Sequence, residues 1–593
     1  MTGSVLIQGG TVVDGTGRAA HQADVEVIDG KIARVGSIKP GKHEIIDARG
    51  CLVTPGFVDI HTHYDGHVTW DTRVSPSSLH GVTTAVMGNC GVGFAPCRPE
   101  HRQTLIELME AIEDIPGPVL EQGLPWNWRT FPEFLDALAA RHYDIDIATQ
   151  LPHGALRVNV MGERAVRREP ATDEDRAEMA RLAGEAMRAG AVGFSTSRIG
   201  AHKTKYGDMT PDFMAAEGEL QAIAMALKQE GRGVLQCVTD IAGQREAGVA
   251  EFQLLRRLVK NSGRTLSMNV NQREIDPEGV GRLMKMIGQA NLDGLKIKAQ
   301  VMGRPIGLVL GFELTQNPFC GHPSFASIAG LPFAQRVREL GNPELRRKIL
   351  SEHDADAIRV SRIARYDKLF PVDERPDYEP RFEDSVAARA QRSGVAPAEW
   401  AYDFLLKDGG KHMLYRPLLN FCGGNLDGVY DMMTDPNAVP GIGDGGAHCG
   451  MTCDSSITTF NLSYWTRDRT LGPRLPIEKI VKGHTADSAD LMGFSDRGRI
   501  APGLKADINV IDYDRLRILP LEIIYDMPGG ARRLVQKAQG YVATLVSGVP
   551  ILRHDQPTAE RPGRLLRSEP ESFSGVPERR ALKGVRSRRK AQP

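Results

Sequence analysis

Residues 56–67 read GFVDIHTHYDGH, a stretch that combines a short apolar run with closely spaced histidines. His61 and His63 end a short apolar run and are separated by one residue. In an extended strand, residues i and i+2 point to the same side, so both imidazoles can face one point beyond the strand's end. Imidazole is a common ligand of Zn²⁺ and similar ions. The pair alone is equally consistent with two exposed histidines at the end of a strand.

Short alternating segments precede this stretch and are separated by turn dipeptides, at Gly9-Gly10, Asp29-Gly30 and Arg49-Gly50. A similar pattern returns in LKADINVIDYDRL (504–516) and GYVATLVSGVPILR (540–553). We therefore expect residues 1–55 and 496–556 to form the two parts of one small β-sandwich.

Between these ends, short apolar strands are followed by helical stretches. Near residues 173–190, Thr172 or Asp173 can cap a helix that Gly190 ends, and AVGFSTS (191–197) then has the pattern of a buried strand. Repeated units of this kind predict an α/β fold with a parallel sheet, and at this length a (β/α)₈ TIM-type barrel over residues 56–495. Barrel active sites lie at the carboxyl ends of the strands, where the histidine pair is expected.

Two regions depart from this pattern. Residues 303–435 are long for one crossover and contain helical stretches at 331–353 and 396–410, so we expect a mostly α-helical insertion. Residues 557–593 are rich in Arg, Pro and Ser and end in RSRRKAQP, which predicts a basic, disordered tail. A nucleic-acid-binding arm is disfavoured because Phe573 is the single aromatic residue that accompanies the charge.

The composition excludes several classes of function. Lys+Arg and Asp+Glu both number 74, so the balance gives no electrostatic case for a nucleic-acid partner. No apolar run is long enough to span a membrane, and eight cysteines in 593 residues do not form a disulfide framework. We expect a cytoplasmic protein that acts on a small molecule, with a homo-oligomer as the default assembly.

Two further stretches strengthen the metal-site interpretation. GVTTAVMGNCGVGFAP (81–96) places Cys90 in a turn after an apolar strand, and GIGDGGAHCG (441–450) places Asp444 at the end of the last expected barrel strand. Together with HTH and the closing GRIAPGLKADINVID (498–512), they resemble the amidohydrolase superfamily. The GNCG turn and the stretch APAEWAYDFLLKDGG (396–410) resemble its D-aminoacylase (N-acyl-D-amino-acid deacylase) branch. The resemblance covers about residues 4–555.

The resemblance implies a metal-dependent hydrolase of an amide C–N bond, with N-acyl-D-amino acids as the related substrates. His61 and His63 would bind the metal, and Asp444 would be a ligand and the general base for metal-bound water. Cys90 matches the cysteine ligand of the branch, where other members use a carbamylated lysine. The alternative for Cys90 is a small buried hydrophobic residue.

The chain departs from the branch at the second metal. The branch places one histidine after the fifth strand and one after the sixth, but the matching stretches, 233–240 and 265–272, contain none. These positions hold Gln236 or Cys237, and Asn269 or Asn271. Neutral amides bind zinc poorly, and Cys237 is expected in the core, so we expect one divalent metal, Zn²⁺, rather than two.

Several further side chains are candidates for the substrate pocket. His153 lies at a predicted strand end, and His448 closely follows Asp444. His202 and Tyr206 lie where the branch binds the substrate carboxylate, and Arg198 could be a bidentate partner for an acid. For each of these residues, an ordinary structural role is the alternative.

Other functions on the same scaffold stay open at this point. One is hydrolysis of a cyclic amide or lactone, or a lyase step that needs a single Lewis-acid metal. Another is a non-catalytic relative, which retention of His61, His63 and Asp444 argues against. Fold-level analogy does not identify the substrate.

Overall fold

The structure of the protein, a computed structural model, describes residues 4–374 and 376–570. Within these ranges the chain is a mixed α/β protein with a nine-stranded sheet, two parallel sheets, a small antiparallel sheet and a hairpin. The hairpin pairs Arg517–Met527 with Ala531–Gln539. No helix in this described part is long and apolar enough to cross a membrane.

The nine-stranded sheet is built from both ends of the chain. Leu52–Pro55 pairs antiparallel with Ile508–Ile511, and the apolar side chains of Val53 and Val510 are buried in one cluster. Both chain ends therefore contribute strands to one sheet, whereas the β-sandwich over residues 1–55 and 496–556 stays a prediction. The strands of the nine-stranded sheet are Val5–Val12, His21–Ile28, Lys31–Gly36, Glu44–Asp47, Leu52–Pro55, Ile508–Ile511, Tyr541–Val546, Val549–Arg553 and Gln556–Pro557.

Outside the region 303–435, the strands between residues 57 and 440 are parallel to their neighbours and largely buried. Burial on both faces explains why strands such as Val82–Met87 lack a regular alternation of buried apolar and exposed polar residues. One parallel sheet contains Phe57–Asp59, Val82–Met87 and Asp146–Thr149. The other contains Leu151–Pro152, Gly193–Arg198, Val234–Thr239, Leu266–Asn269, Ile297–Val301 and Ala438–Pro440.

Backbone hydrogen bonds connect the two parallel sheets at both of their edges. Val192 N donates to Thr149 O at 3.0 Å. On the other side, Asp444 N donates to His61 O at 3.0 Å, and His63 N donates to Gly445 O at 2.8 Å. The carboxyl end of the first parallel strand therefore lies beside the carboxyl end of the last.

Helices follow the parallel strands and pack against them. Thr172 caps the helix Asp173–Ala189 in a reciprocal capping box with Asp175, and Gly190 ends it in a left-handed conformation, as the sequence predicts. The helices outside the region 303–435 are His67–Trp70, Arg102–Glu113, Gly117–Gly123, Phe131–Ala139, His153–Met161, Glu163–Val166, Asp173–Ala189, Glu217–Gln229, Arg245–Ser262, Gly279–Leu292, Ile457–Ser463, Ile477–Lys482 and Ser488–Met492.

The region 303–435 has its own hydrophobic core, centred on Phe312, Phe319 and Tyr402. It also contains an antiparallel sheet, Ile306–Leu310, Phe370–Pro371 and Leu414–Leu419, which the sequence analysis did not predict. The helices of this region are Pro323–Ala326, Phe333–Leu340, Pro343–Ser351, Ala357–Ile363, Val386–Ser393, Pro397–Gly410 and Asp427–Thr434.

The prediction of a disordered tail from residue 557 is wrong for the part of it that the structure describes. Gly563 exchanges both backbone hydrogen bonds with Tyr143, at 3.0 and 2.8 Å, and Leu566 N donates to Ile147 O at 2.7 Å. Leu566 also packs against the apolar cluster at the base of the parallel strands. These contacts hold the segment in place despite its arginines. Residues 571–593 lie outside the described residues.

Candidate metal centre

His61 and His63 lie directly after the strand Phe57–Asp59 and are almost fully buried, with 2% and 1% of their surface exposed. His61 Nδ1 lies 2.7 Å from Gln300 Oε1, and His61 Nε2 lies 3.2 Å from Cys90 Sγ. The His61 and His63 rings are 5.5 Å apart between centroids. The two imidazoles therefore converge, as their spacing predicts, and are not exposed strand-end side chains.

Cys90 reaches the histidines from the turn that follows the strand Val82–Met87. Its φ of 55° lies in the left-handed region, which is uncommon for a residue with a side chain. Asn89 stabilises this turn, because its Nδ2 donates to Val86 O at 2.9 Å and to Thr62 O at 3.1 Å. The turn holds the thiol in the centre of the site.

Asp444 completes the group from the loop after the strand Ala438–Pro440. Its Oδ1 lies 3.5 Å from His61 Nε2 and 3.7 Å from His63 Nε2. This oxygen is buried and has no hydrogen-bond partner. Buried carboxylate oxygens are normally satisfied, so the orphaned atom calls for a further ligand.

These side chains fit a divalent cation. One ligand atom from each of His61, His63 and Cys90 lies within 4.8 Å of the other two, and the unpartnered oxygen of Asp444 lies beside the imidazoles. Two imidazoles, a thiol and a carboxyl are the donor types that zinc prefers, in the number that a tetrahedral site needs. The donor set therefore fits a divalent metal ion such as zinc.

The pKa shifts of the site residues also favour binding of a cation. Burial lowers the pKa of His61 to about 4 and that of His63 well below its usual value, so both rings are neutral at physiological pH. Burial raises the pKa of Asp444 to about 7 and that of the Cys90 thiol well above its usual value. A bound cation would stabilise the two anions that burial disfavours.

Glu113 belongs to the site and was missed in the sequence. It ends the helix Arg102–Glu113 and is 2% exposed, with Oε1 3.4 Å from His63 Nδ1 and Oε2 3.7 Å from His448 Nε2. Burial and the nearby Asp444 raise its pKa well above the usual value. A negatively charged side chain at the carboxyl end of a helix is unfavourable, because the helix dipole is negative there. An acidic residue at a helix end is therefore the signal by which the sequence could have pointed to Glu113.

Two of the predicted pocket histidines lie near this group. His448 Nε2 is 3.9 Å from Asp444 Oδ2, and the side chain of His448 is partly exposed. His202 Nδ1 lies 2.8 Å from Ser197 Oγ, and burial, His448 and His61 lower the pKa of His202 to about 3. Both histidines thus lie near the candidate metal ligands.

The other three predicted substrate-binding residues need correction. His153 is fully buried and bonded to Thr196 Oγ1 at 2.9 Å and to Glu219 Oε1 at 2.8 Å. Arg198 is buried, pairs with Glu251 and donates to a backbone carbonyl. Both side chains are occupied by buried partners that lie far away in the sequence.

Tyr206 lies on the surface, with 72% of its area exposed, beside the Lys205 ammonium group. Its ring does not line the buried metal cluster. His322, the histidine of the stretch NPFCGHPSF, is also occupied: its Nδ1 donates to Ile349 O at 2.8 Å inside the region 303–435.

The positions that lack histidine hold side chains in structural roles. Gln236 Oε1 accepts a hydrogen bond from Cys90 N at 3.2 Å, whereas Cys237 is buried in the hydrophobic core. Asn269 Oδ1 accepts from Thr239 N at 2.6 Å. Asn271 Oδ1 accepts from the Asn420 amide at 3.3 Å.

A narrow cleft leads to Asp444 from the side of the hairpin Arg517–Met527 and Ala531–Gln539. Its walls include Cys449, Ser455 and Arg533. Arg533 is bonded to Asp526 and to Ser75, so this cation is already partnered. The cleft is an approach to the carboxyl group from outside.

The chain is similar to known proteins along most of its length. The model of the amidohydrolase family matches residues 44–552. An uncharacterised protein of Mycobacterium tuberculosis is 27% identical over 589 residues, which cover 94% of this chain and 93% of that protein. The N-acyl-D-glutamate deacylase of Alcaligenes xylosoxydans xylosoxydans is 25% identical over 590 residues, which cover 97% and 98%.

A solved structure of D-aminoacylase has a TM-score of 0.62 with this chain at 20% identity, and the match covers 95% of this chain and 99% of that one. That structure concerns a binuclear metal centre with activation by one metal and attenuation by the second. The likeness to it shows a shared fold.

Proposed function

Because this chain belongs to the amidohydrolase family and is a hydrolase of carbon–nitrogen bonds other than peptide bonds, we propose that it cleaves an amide with a single divalent cation, Zn²⁺. The proposed ligands are His61, His63, Cys90 and Asp444. The observation that carries this proposal is the convergence of these buried donors, with an unpartnered Asp444 oxygen beside the two imidazoles.

We also propose that the two parallel sheets close into one (β/α)₈ barrel. The backbone hydrogen bonds from Val192 to Thr149 and from Asp444 to His61 support this closure, because they join the two sheets at both edges. In a barrel, the carboxyl ends of the strands surround the active site, which is where these metal-binding candidates lie.

The residues of the chain would divide the work as follows. A bound divalent cation supplies a Lewis acid that lowers the pKa of water to ~7 and polarises a carbonyl group. Asp444 accepts the proton of the attacking water at its carboxylate and then donates it to the leaving nitrogen. His448, 3.9 Å from Asp444 and partly exposed, is placed at the solvent side of this carboxylate.

For the substrate we propose an N-acyl-D-amino acid or a related small amide. The support is the full-length similarity to a protein named N-acyl-D-glutamate deacylase. The altered second-metal positions keep two alternatives open: hydrolysis of a cyclic amide or lactone, and a lyase reaction at the same centre. All three reactions would use the metal ion of the proposed centre.

The test is turnover by the Zn²⁺-loaded chain of a panel of N-acetyl-D-amino acids, their L enantiomers and a cyclic amide. We expect release of the free D-amino acid and little release of the L form. Opening of the cyclic amide without hydrolysis of the acyclic compounds would replace the proposal by its alternative. Asp444→Asn serves as the inactive reference.

A further inference from the structure

A row of polar side chains crosses the interior of the parallel strands below the metal cluster. We call it the polar belt, and it consists of Ser195, Gln236, Ser267 and Gln300. All four are buried, with at most 2% of their surface exposed, and each lies on a different neighbouring strand. The interior of a parallel sheet is normally apolar, so four polar residues at this level need an explanation.

The first half of the polar belt holds the turn that carries Cys90. Ser195 Oγ accepts from Gly91 N at 3.1 Å and donates to Gly88 O at 2.5 Å. Gln236 Oε1 accepts from Cys90 N at 3.2 Å. These bonds satisfy backbone groups of a turn whose residues 88, 90 and 91 all have positive φ. They fix the position from which the thiol points to the histidines.

The second half of the polar belt holds His61. Gln300 Nε2 donates to Ser267 Oγ at 2.7 Å, so the opposite end of the amide, Oε1, faces His61 Nδ1 at 2.7 Å. An amide oxygen accepts a hydrogen bond and cannot donate one. His61 Nδ1 therefore carries the ring proton, and the lone pair is on Nε2, the atom 3.2 Å from Cys90 Sγ.

Gln300 is closely packed on both sides. A Cβ at Gly441 would lie 3.1 Å from both Cβ and Oε1 of Gln300, so the neighbouring loop leaves little room around the amide. Ser267 and Gly441 together confine the amide group beside His61. The neutral tautomer with a free Nε2 is the form of imidazole that can bind a metal at that nitrogen.

We propose that Gln300 is a positioning residue that sets the tautomer and ring orientation of His61, and through them the metal affinity of the centre. Ser267 anchors Gln300, and Gln236 gives the equivalent support to Cys90. This inference rests on the proposed function, since it assigns a metal to His61 Nε2. Outer hydrogen-bond partners of metal ligands typically contribute about 10- to 100-fold to metal affinity.

The test compares the full-length chain with Gln300→Met and Gln300→Glu. The readouts are the Zn²⁺ dissociation constant, measured by competition with a chromophoric chelator, and the visible spectrum of the Co²⁺-loaded chain. We expect Gln300→Met to weaken Zn²⁺ binding about 10- to 100-fold and to change the Co²⁺ spectrum. Gln300→Glu keeps an acceptor for the proton on His61 Nδ1. It should therefore bind Zn²⁺ about 10- to 100-fold more tightly than Gln300→Met.

Gln536→Met is the matched control. Gln536 is also fully buried and hydrogen-bonded, but its side chain contacts Ser456, Tyr378 and Leu519 and no proposed metal ligand. Gln536→Met should lower the free energy of unfolding without weakening Zn²⁺ binding. Wild-type Zn²⁺ affinity in Gln300→Met, or an equal loss in Gln536→Met, would overturn the inference.

Two further variants keep the result unambiguous. If Gln300→Met does not fold, Ser267→Ala frees the amide while retaining Gln300, and we expect weaker Zn²⁺ binding in the same assay; unchanged binding would count against the inference. His61→Ala tests the proposed function separately. Zn²⁺ binding that survives His61→Ala defeats the metal assignment, whereas binding lost in His61→Ala but kept in Gln300→Met defeats only the role of Gln300.

Discussion

At the scale of single residues, Asp444 combines a buried carboxyl, an unpartnered oxygen and two imidazoles within 4 Å. We predict that Asp444→Asn keeps Zn²⁺ bound through His61, His63 and Cys90 but lowers kcat by about 10²- to 10⁴-fold, because an amide cannot accept a proton from water. Metal analysis and steady-state kinetics on the same preparation measure both quantities.

The control for this variant is Asp490→Asn, which changes an exposed carboxylate paired with Arg499. It should leave both kcat and metal content unchanged. An Asp444→Asn enzyme with wild-type kcat would remove Asp444 from the proposed proton transfer.

The pH dependence of metal binding follows from the same groups. Zn²⁺ binding requires the deprotonated forms of Asp444, whose pKa burial raises to about 7, and of Cys90, whose pKa is raised further above neutrality. We predict that Zn²⁺ affinity falls as pH decreases through about 7. Burial lowers the pKa of His61 to about 4, so the imidazoles add no step near their ordinary value of about 6.5.

Chelator competition between about pH 6 and 8.5 measures this dependence. Asp444→Asn should lose the change in Zn²⁺ affinity near pH 7. It should keep the dependence of Zn²⁺ affinity on deprotonation of the Cys90 thiol. A profile with its midpoint near 6.5 in both proteins would show that the histidines control binding instead.

The sequence predicted the residues whose signal is local and missed those whose role depends on distant contacts. His61, His63, Cys90 and Asp444 each stand in a short motif at a strand end. Gln300 is an ordinary polar residue until the fold brings its amide 2.7 Å from His61. Arg198 was predicted to bind an acidic substrate, but it pairs instead with Glu251, which is 53 positions away in the sequence.

At the scale of elements, the segment 558–568 behaves as part of the fold. Its backbone pairs with Tyr143 and Ile147, and Ser568 N donates to Gly190 O at 2.9 Å. We predict that a chain ending at residue 559 loses about 2 kcal/mol or more of unfolding free energy, since several buried hydrogen bonds and the burial of Leu566 disappear together.

A chain ending at residue 570 is the matched control for this truncation, because it keeps every one of these contacts. It should unfold in urea at the same midpoint as the full-length protein, while the shorter chain unfolds earlier. Equal midpoints for all three chains would show that the segment 558–568 adds nothing to stability, as expected of a disordered tail.

Element prediction succeeded where capping and periodicity were complete within one segment. The helix Asp173–Ala189 has its Thr172 cap and its Gly190 end in adjacent sequence. The pairing of Gly563 with Tyr143 spans about 420 positions, and the arginines around it suggest solvent exposure. The strand Ile306–Leu310 was not predicted for the same reason, because its partner strand, Leu414–Leu419, is distant in the sequence.

At the scale of the whole molecule, the two chain ends form one sheet and the loops between them converge on one buried centre. Repeated strand–helix units made the α/β class predictable, and paired β patterns at both ends made the shared sheet predictable. The number of metals is not a local property. It depends on which side chains face inward on the strands Val234–Thr239 and Leu266–Asn269, which contain Gln236 and Asn269 and no histidine.

Metal analysis of the full-length chain, purified with Zn²⁺ and freed of weakly bound ions, tests whether one metal occupies the proposed site. We predict about one Zn²⁺ per chain, lost in His61→Ala and in Cys90→Ala and retained in Asn271→Ala. Two tightly held metals per chain, or none, would contradict it.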